Sequence, residues 1–168
     1  YKRKNDNNTS VTEISKVTGK TYYVDAEAGE GNDGLTPEKA LKTLEEVNRL
    51  RLEPGDQVLF KKGCRWNGGL IIAYSGEKEK PIIYDAYGTG DQMPIINGSG
   101  DAYAAIYGVD VSYISIRNLE ITNVSNETNY LRGIFINALH NNVEGIKVIN
   151  NYIHNIDSSN LTPWERDV

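Results

Sequence analysis

The sequence predicts an all-β fold, a parallel β-helix solenoid closed at its start by a capping α-helix, and three observations carry that prediction. Ile82, Ile114 and Ile146 recur with a fixed period of 32; Tyr84, Ile116 and Val148 follow in step, and so do Asn118 and Asn150. From Gln57 onward the chain is a series of short β-rich runs parted by Gly, Asn, Asp and Pro. Only one stretch, ahead of those runs, has helical spacing. A fixed period in the twenties or thirties made of short strands marks a solenoid.

If each repeat is one coil, equivalent residues lie about 4.8 Å apart and pair in parallel, isoleucine above isoleucine. Val58, 24 positions before Ile82, fits as a shorter turn of the same column. Asn118 and Asn150 then stack at a bend, because Asn tolerates left-handed backbone and its amide can bond the amide of the next coil. A β-sandwich also gives many short strands, but it favours longer ones with clean alternation and hairpin turns.

The elements follow in order. Residues 1–20 have almost no apolar pattern and read as a flexible basic linker, the start of a chain trimmed of an export signal or anchor. Residues 21–56 form the N-terminal cap: a strand, "TYYVD", a loop, "AEAGEGNDG", and a helix over 36–52. Thr36 is its N-cap, Pro37 its first residue, and Ala40, Leu41, Leu44, Val47 and Leu50 its apolar face. "EPGD" then ends it. Residues 57–168 supply the coils, with strands expected at 57–60, 69–74, 81–84, 94–97, 104–108, 113–118, 119–122, 133–138, 145–150 and 151–156. The final "SSNLTPWERDV" contains nothing that closes a stack. A truncated C-terminal end, open to self-association, is the expectation.

Composition narrows function. The 168 residues allow one domain, and 39% apolar content is low but globular. The net charge is −5 although the linker is basic, and an acidic body argues against nucleic-acid binding. It would also repel a polyanionic glycan unless a cation or basic patch intervened. Cys64 is the only cysteine and reads as a small buried apolar residue. No apolar run reaches membrane-spanning length, so no membrane insertion is expected. Eleven Tyr against two Phe suits half-buried strands and also faces that stack on sugars.

"TYYVDAEAGEGNDGLTPEKALKTLEEVN" resembles the entry segment of secreted, right-handed parallel β-helix proteins of the pectate-lyase-like superfamily. "LEPGDQVLFKKGCRWNGGLII", "SGEKEKPIIYDAYGTGDQMPIINGS" and "VINNYIHNID" are similar to the elements that follow in that group, so the resemblance spans roughly 21–157. It implies a right-handed coil, an extracellular or cell-surface location, and a polysaccharide or oligosaccharide partner. The function it implies is the N-terminal part of a polysaccharide lyase or glycoside hydrolase acting on plant or microbial polysaccharide. The alternative is a non-catalytic glycan-binding or surface-adhesion module. Complete members carry more coils, so the catalytic centre is expected to lie outside this chain.

Two chemistries suit a β-helix groove. A lyase removes the proton α to a uronate carboxylate with a basic side chain. A glycosidase needs two carboxyls flanking the bond, about 5 Å apart for retention and wider for inversion. Residues one period apart should be neighbours, which singles out Asp85 with Arg117, either as a site or as a surface ion pair. His154 and Asp157 are read as a base with its orienting carboxylate, or as an outward His at a bend. Trp66, Tyr103, Tyr107 and Trp164 are candidate sugar-stacking rings, with a core role as the other reading of Trp66. Asp25, Glu27, Glu30 and Asp33 share one loop and offer oxygen ligands to calcium; the resemblance implies that Asn32, Asp33 and Gly34 form a tight turn there instead.

Overall fold

The computed structural model describes residues 19–125 and 130–158. Among the described residues twelve strands form three parallel sheets, and from the second strand onward the chain visits the sheets in rotation. The first sheet holds β1 (Thr21–Val24), β2 (Gln57–Lys61), β5 (Ile82–Tyr87), β8 (Ile114–Arg117) and β11 (Lys147–Ile149), side by side in that order. The second runs β3 (Arg65–Asn67), β6 (Ile95–Asn97), β9 (Glu120–Ser125), β12 (Tyr152–Ser158). The third runs β4 (Leu70–Ile72), β7 (Ala104–Val109), β10 (Arg132–Asn137). Every strand but β3 falls on an expected run. β3 was not foreseen, because an exposed Arg and Asn around Trp66 carry no apolar alternation.

The three sheets turn one face inward. Ile82 pairs with Ile114, and Tyr84 with Ile116, which in turn opposes Val148. Ile146, just ahead of β11, packs half-buried against the same core. Val58 pairs with Tyr84 rather than lying over Ile82, so that expectation was out of register. A second column runs Trp66, Ile96, Ile121, Ile153, and a third runs Leu70, Ile106, Ile134. Beside the third, Gly108 lies between Ile72 and Ile136; a Cβ there would meet Val111 at 2.9 Å and Ile136 at 3.0 Å. Each fully buried aliphatic side chain contributes roughly 1.5–3 kcal/mol. At the far end the columns open: Val148 and Ile153 are 47% and 43% exposed, whereas Ile116 and Ile121 are fully buried.

Asparagine makes the bend from the first sheet to the second. Asn118 and Asn150 have φ of 58° and 53°, left-handed backbone that Asn adopts at modest cost. Asn150 Nδ2 donates to Asn118 Oδ1 at 2.6 Å, so the amides form the predicted ladder. Asn151 joins them, donating to the Ile116 carbonyl and accepting from the Leu119 amide.

The single helix expected over 36–52 is absent. A 3₁₀ turn, Pro37–Lys39, starts at Thr36, and a short helix α1 (Leu44–Asn48) starts at Thr43. Between them Ala40 is extended and Leu41 bridges Val24: Leu41 N donates to Tyr23 O, and Asp25 N to Leu41 O, both at 2.8 Å. The bare edge of β1 offers hydrogen bonds that outweigh helix continuity there. Thr43 and Glu46 form a reciprocal capping box, a Thr-x-x-Glu signal visible in the sequence. The segment still lies across strand edges at this end. Trp66 Nε1 donates to the Lys42 carbonyl at 2.9 Å, and Asn48 brackets β4 through Gly69 O and Ile71 N.

Candidate functional site

The outer face of the third sheet gathers aromatic side chains. Ile71, Tyr107 and Phe135 occupy one outward row on β4, β7 and β10. Tyr107 and Phe135 stack at 5.9 Å with 22° between their planes, and Tyr103 meets Phe135 edge-on at 5.5 Å. The Arg132 guanidinium lies 4.4 Å from the Tyr103 ring centre and 4.9 Å from that of Phe135, within cation–π range. A shallow groove of about 410 Å³ runs beside them, lined by Gly69, Ile71, Tyr103 and Tyr107. Half-exposed rings on a rigid sheet offer flat apolar surface to the C–H face of a sugar, and the guanidinium offers donors to its hydroxyls. Tyr103 and Tyr107 were singled out from sequence. Arg132 and Phe135 were not, because the register between β7 and β10 is offset by 28 rather than 32.

Asp85 and Arg117 do meet, with Arg117 Nε 2.6 Å from Asp85 Oδ2. Asp85 Oδ1 also accepts from Asn118 Nδ2 and from the Ala86 amide. Both oxygens are engaged in holding the asparagine bend, and the pair is an ion pair of the scaffold.

The carboxylate on the His154 ring is that of Glu120, whose Oε1 lies 2.9 Å from His154 Nε2. The Tyr152 ring stacks on His154 at 4.2 Å. Asp157 continues β12 opposite Val124. Trp66 is corrected: it is 4% exposed and packs edge-on against Phe60 at 5.2 Å, so its face is closed to a ligand. Trp164 lies outside the described residues.

The acidic loop does not converge. Asp25 Oδ2 binds Lys61 Nζ at 2.7 Å, Glu27 reaches the same ammonium at 3.6 Å, and Glu30 pairs with Lys42 at 3.8 Å. Asp33 Oδ1 accepts from the Leu35 amide, next to Gly34 at φ 75°, which is the tight turn that the resemblance implied. Among the described residues no three His, Cys, Asp or Glu side chains form a cation site. Burial works to raise the Asp25 carboxyl, but the Lys61 ammonium, the Glu27 amide and the Cys64 thiol outweigh it and hold it below its ordinary 3.8. Cys64 is buried as expected, and desolvation raises its thiol.

No family model matches the chain. It is 34% identical over 139 residues to a lacto-N-biosidase of Bifidobacterium longum subsp. longum, covering 67% of this chain and 9% of that protein. The crystal structure of a GH136 lacto-N-biosidase from Eubacterium ramulus superposes with a TM-score of 0.67 at 30% identity, over 83% of this chain and 27% of that one. A rhamnogalacturonan lyase matches with a TM-score of 0.50 at 25% identity, over 66% of this chain and 30% of that one. The chain thus spans about a tenth of the curated relative's length and under a third of each solved neighbour. Its parallel-sheet architecture and a substantial part of its sequence are similar to carbohydrate-active proteins.

Proposed function

We propose that this chain is part of a longer extracellular glycoside hydrolase built on a right-handed parallel β-helix of the pectate-lyase-like kind, with residues 21–56 at its entry and 57–158 as its first coils. The observation that carries this reading is the match to lacto-N-biosidases in both sequence and structure. Rotation through three parallel sheets supports the coil, and parallel crossovers are right-handed in about 98% of cases. The aromatic face of the third sheet is where this segment contacts an oligosaccharide. The Asp85–Arg117 pair is engaged in the scaffold, so bond cleavage is placed on other groups of the longer protein.

The test is to incubate the longer polypeptide with neutral oligosaccharides and with uronate-containing polysaccharide. Reducing ends without an ultraviolet rise indicate hydrolysis; a rise from unsaturated uronate product indicates a lyase and refutes the reading. Binding without turnover would favour the glycan-binding module, a reading the Tyr103–Tyr107–Phe135 cluster also suits. In either binding case Tyr107→Ala should weaken oligosaccharide affinity about tenfold, near 1.4 kcal/mol.

A further inference from the structure

The second sheet carries a different outward surface. One row reads Arg65, Ile95, Glu120, Tyr152 across β3, β6, β9 and β12. The next row, Asn67, Asn97 and Thr122, satisfies itself: Asn97 Nδ2 donates to Asn67 Oδ1 at 2.8 Å, and Thr122 Oγ1 to Asn97 Oδ1 at 2.9 Å. A groove of about 450 Å³ opens on the first row, lined by Asp91, Gln92, Ile95, Glu120 and Tyr152. Glu120 Oε1 is held by His154, while Oε2 makes no hydrogen bond among the described residues. Tyr152 is 57% exposed, with its ring backed by His154 at 4.2 Å and 22°. The backbone departs from regularity at this point. Between Ile153 and Ile156 two residues of β12 oppose one of β9, and Asn155 takes φ 50°. Bulges are rare in parallel pairs and commonly re-aim a side chain.

We propose that this groove is a second saccharide site, selective for an uncharged sugar unit over a uronate, with Tyr152 as the stacking ring and Glu120 as the hydroxyl acceptor. The inference rests on the carbohydrate reading above and adds a site on another face. A carboxylate with one oxygen fixed and one open accepts from sugar hydroxyls, which are donors in any neutral sugar. A uronate would bring a third negative charge beside Asp91 and Glu120. Among the described residues no Lys or Arg lines the groove, since Arg65 lies beyond Ile95. His154 is a positioning residue: it fixes the carboxylate on one side and the Tyr152 ring on the other.

The experiment titrates the ¹³C,¹⁵N-labelled chain with lactose, cellobiose and digalacturonate, reading the Glu120 and Tyr152 amides, the His154 ring, and the Tyr103 and Tyr107 ring carbons. The expected result is a saturable shift at Glu120, Tyr152 and His154 with lactose or cellobiose, and at least tenfold weaker binding of digalacturonate. Glu120→Gln should weaken the neutral sugar about tenfold at an unchanged urea midpoint. His154→Ala should do the same, and His154→Gln, whose amide can still reach Glu120, should restore binding. Silence in the groove while Tyr103 and Tyr107 respond overturns this proposal and leaves the carbohydrate reading standing. Silence on both faces sinks both, and equal binding of digalacturonate in the groove overturns the selectivity.

Discussion

Ile114 lies in the interior column of the first sheet, fully buried, with Ile82 opposite it in register and Ile146 next along the column. Ile114→Ala removes three carbons, about 2.4 kcal/mol at roughly 0.8 per buried methylene. The cavity left between fixed strands adds to that, because the neighbouring backbone is tied into the sheet and collapses little. The expected loss is about 3–4 kcal/mol, a large share of the roughly 5–15 kcal/mol typical of a domain. Ile146→Ala makes the same chemical change at a half-buried position, where no enclosed cavity forms, and should cost about 1 kcal/mol. Urea unfolding followed by circular dichroism measures both, with an unchanged m-value as the check that only stability moved. Equal losses at the two positions would refute the closed-column, open-end arrangement. So would a loss at Ile114 smaller than the transfer contribution of its own deleted methylenes.

Two further outcomes follow from the bends. Asn118→Ala gives up the bonds to Asp85 and Asn150 and forces a Cβ without side-chain compensation into left-handed backbone, which costs about 1–2 kcal/mol. Asn118→Gly loses the same bonds without that strain and should be the more stable of the two by thermal melting. Asp110 is held down to about 2, first by the His140 amide, with the His140 ring and the Asn141 and Leu139 amides adding to it against desolvation. A folded value below the ordinary 3.8 means that the stabilisation is complete above about pH 4 and is lost as pH falls toward 2. The Leu139, His140 and Asn141 amide proton shifts, which report their bonds to the Asp110 carboxylate, should therefore titrate with a midpoint near 2; a midpoint near 4 would show the carboxylate to be unperturbed.

The repeat and its bends are written into the linear chain. Inward residues must be apolar on each strand of the first sheet, so Ile82, Ile114 and Ile146 recur, and a left-handed corner selects asparagine at 118 and 150. Both signals are local and survive in a linear string. Lateral neighbours belong to the tertiary structure, because each connection sets its own offset. That offset is 32 for Ile82 with Ile114, 26 for Val58 with Tyr84, 36 for Leu70 with Ile106 and 28 for Ala104 with Arg132. Phe135 therefore reaches Tyr107, and His154 reaches Glu120, at spacings that no single period predicts. Leu41 leaves its helical pattern for the same reason. The edge of β1 exists only once the sheet has formed, and the hydrogen bonds it offers are worth more than one further helical turn.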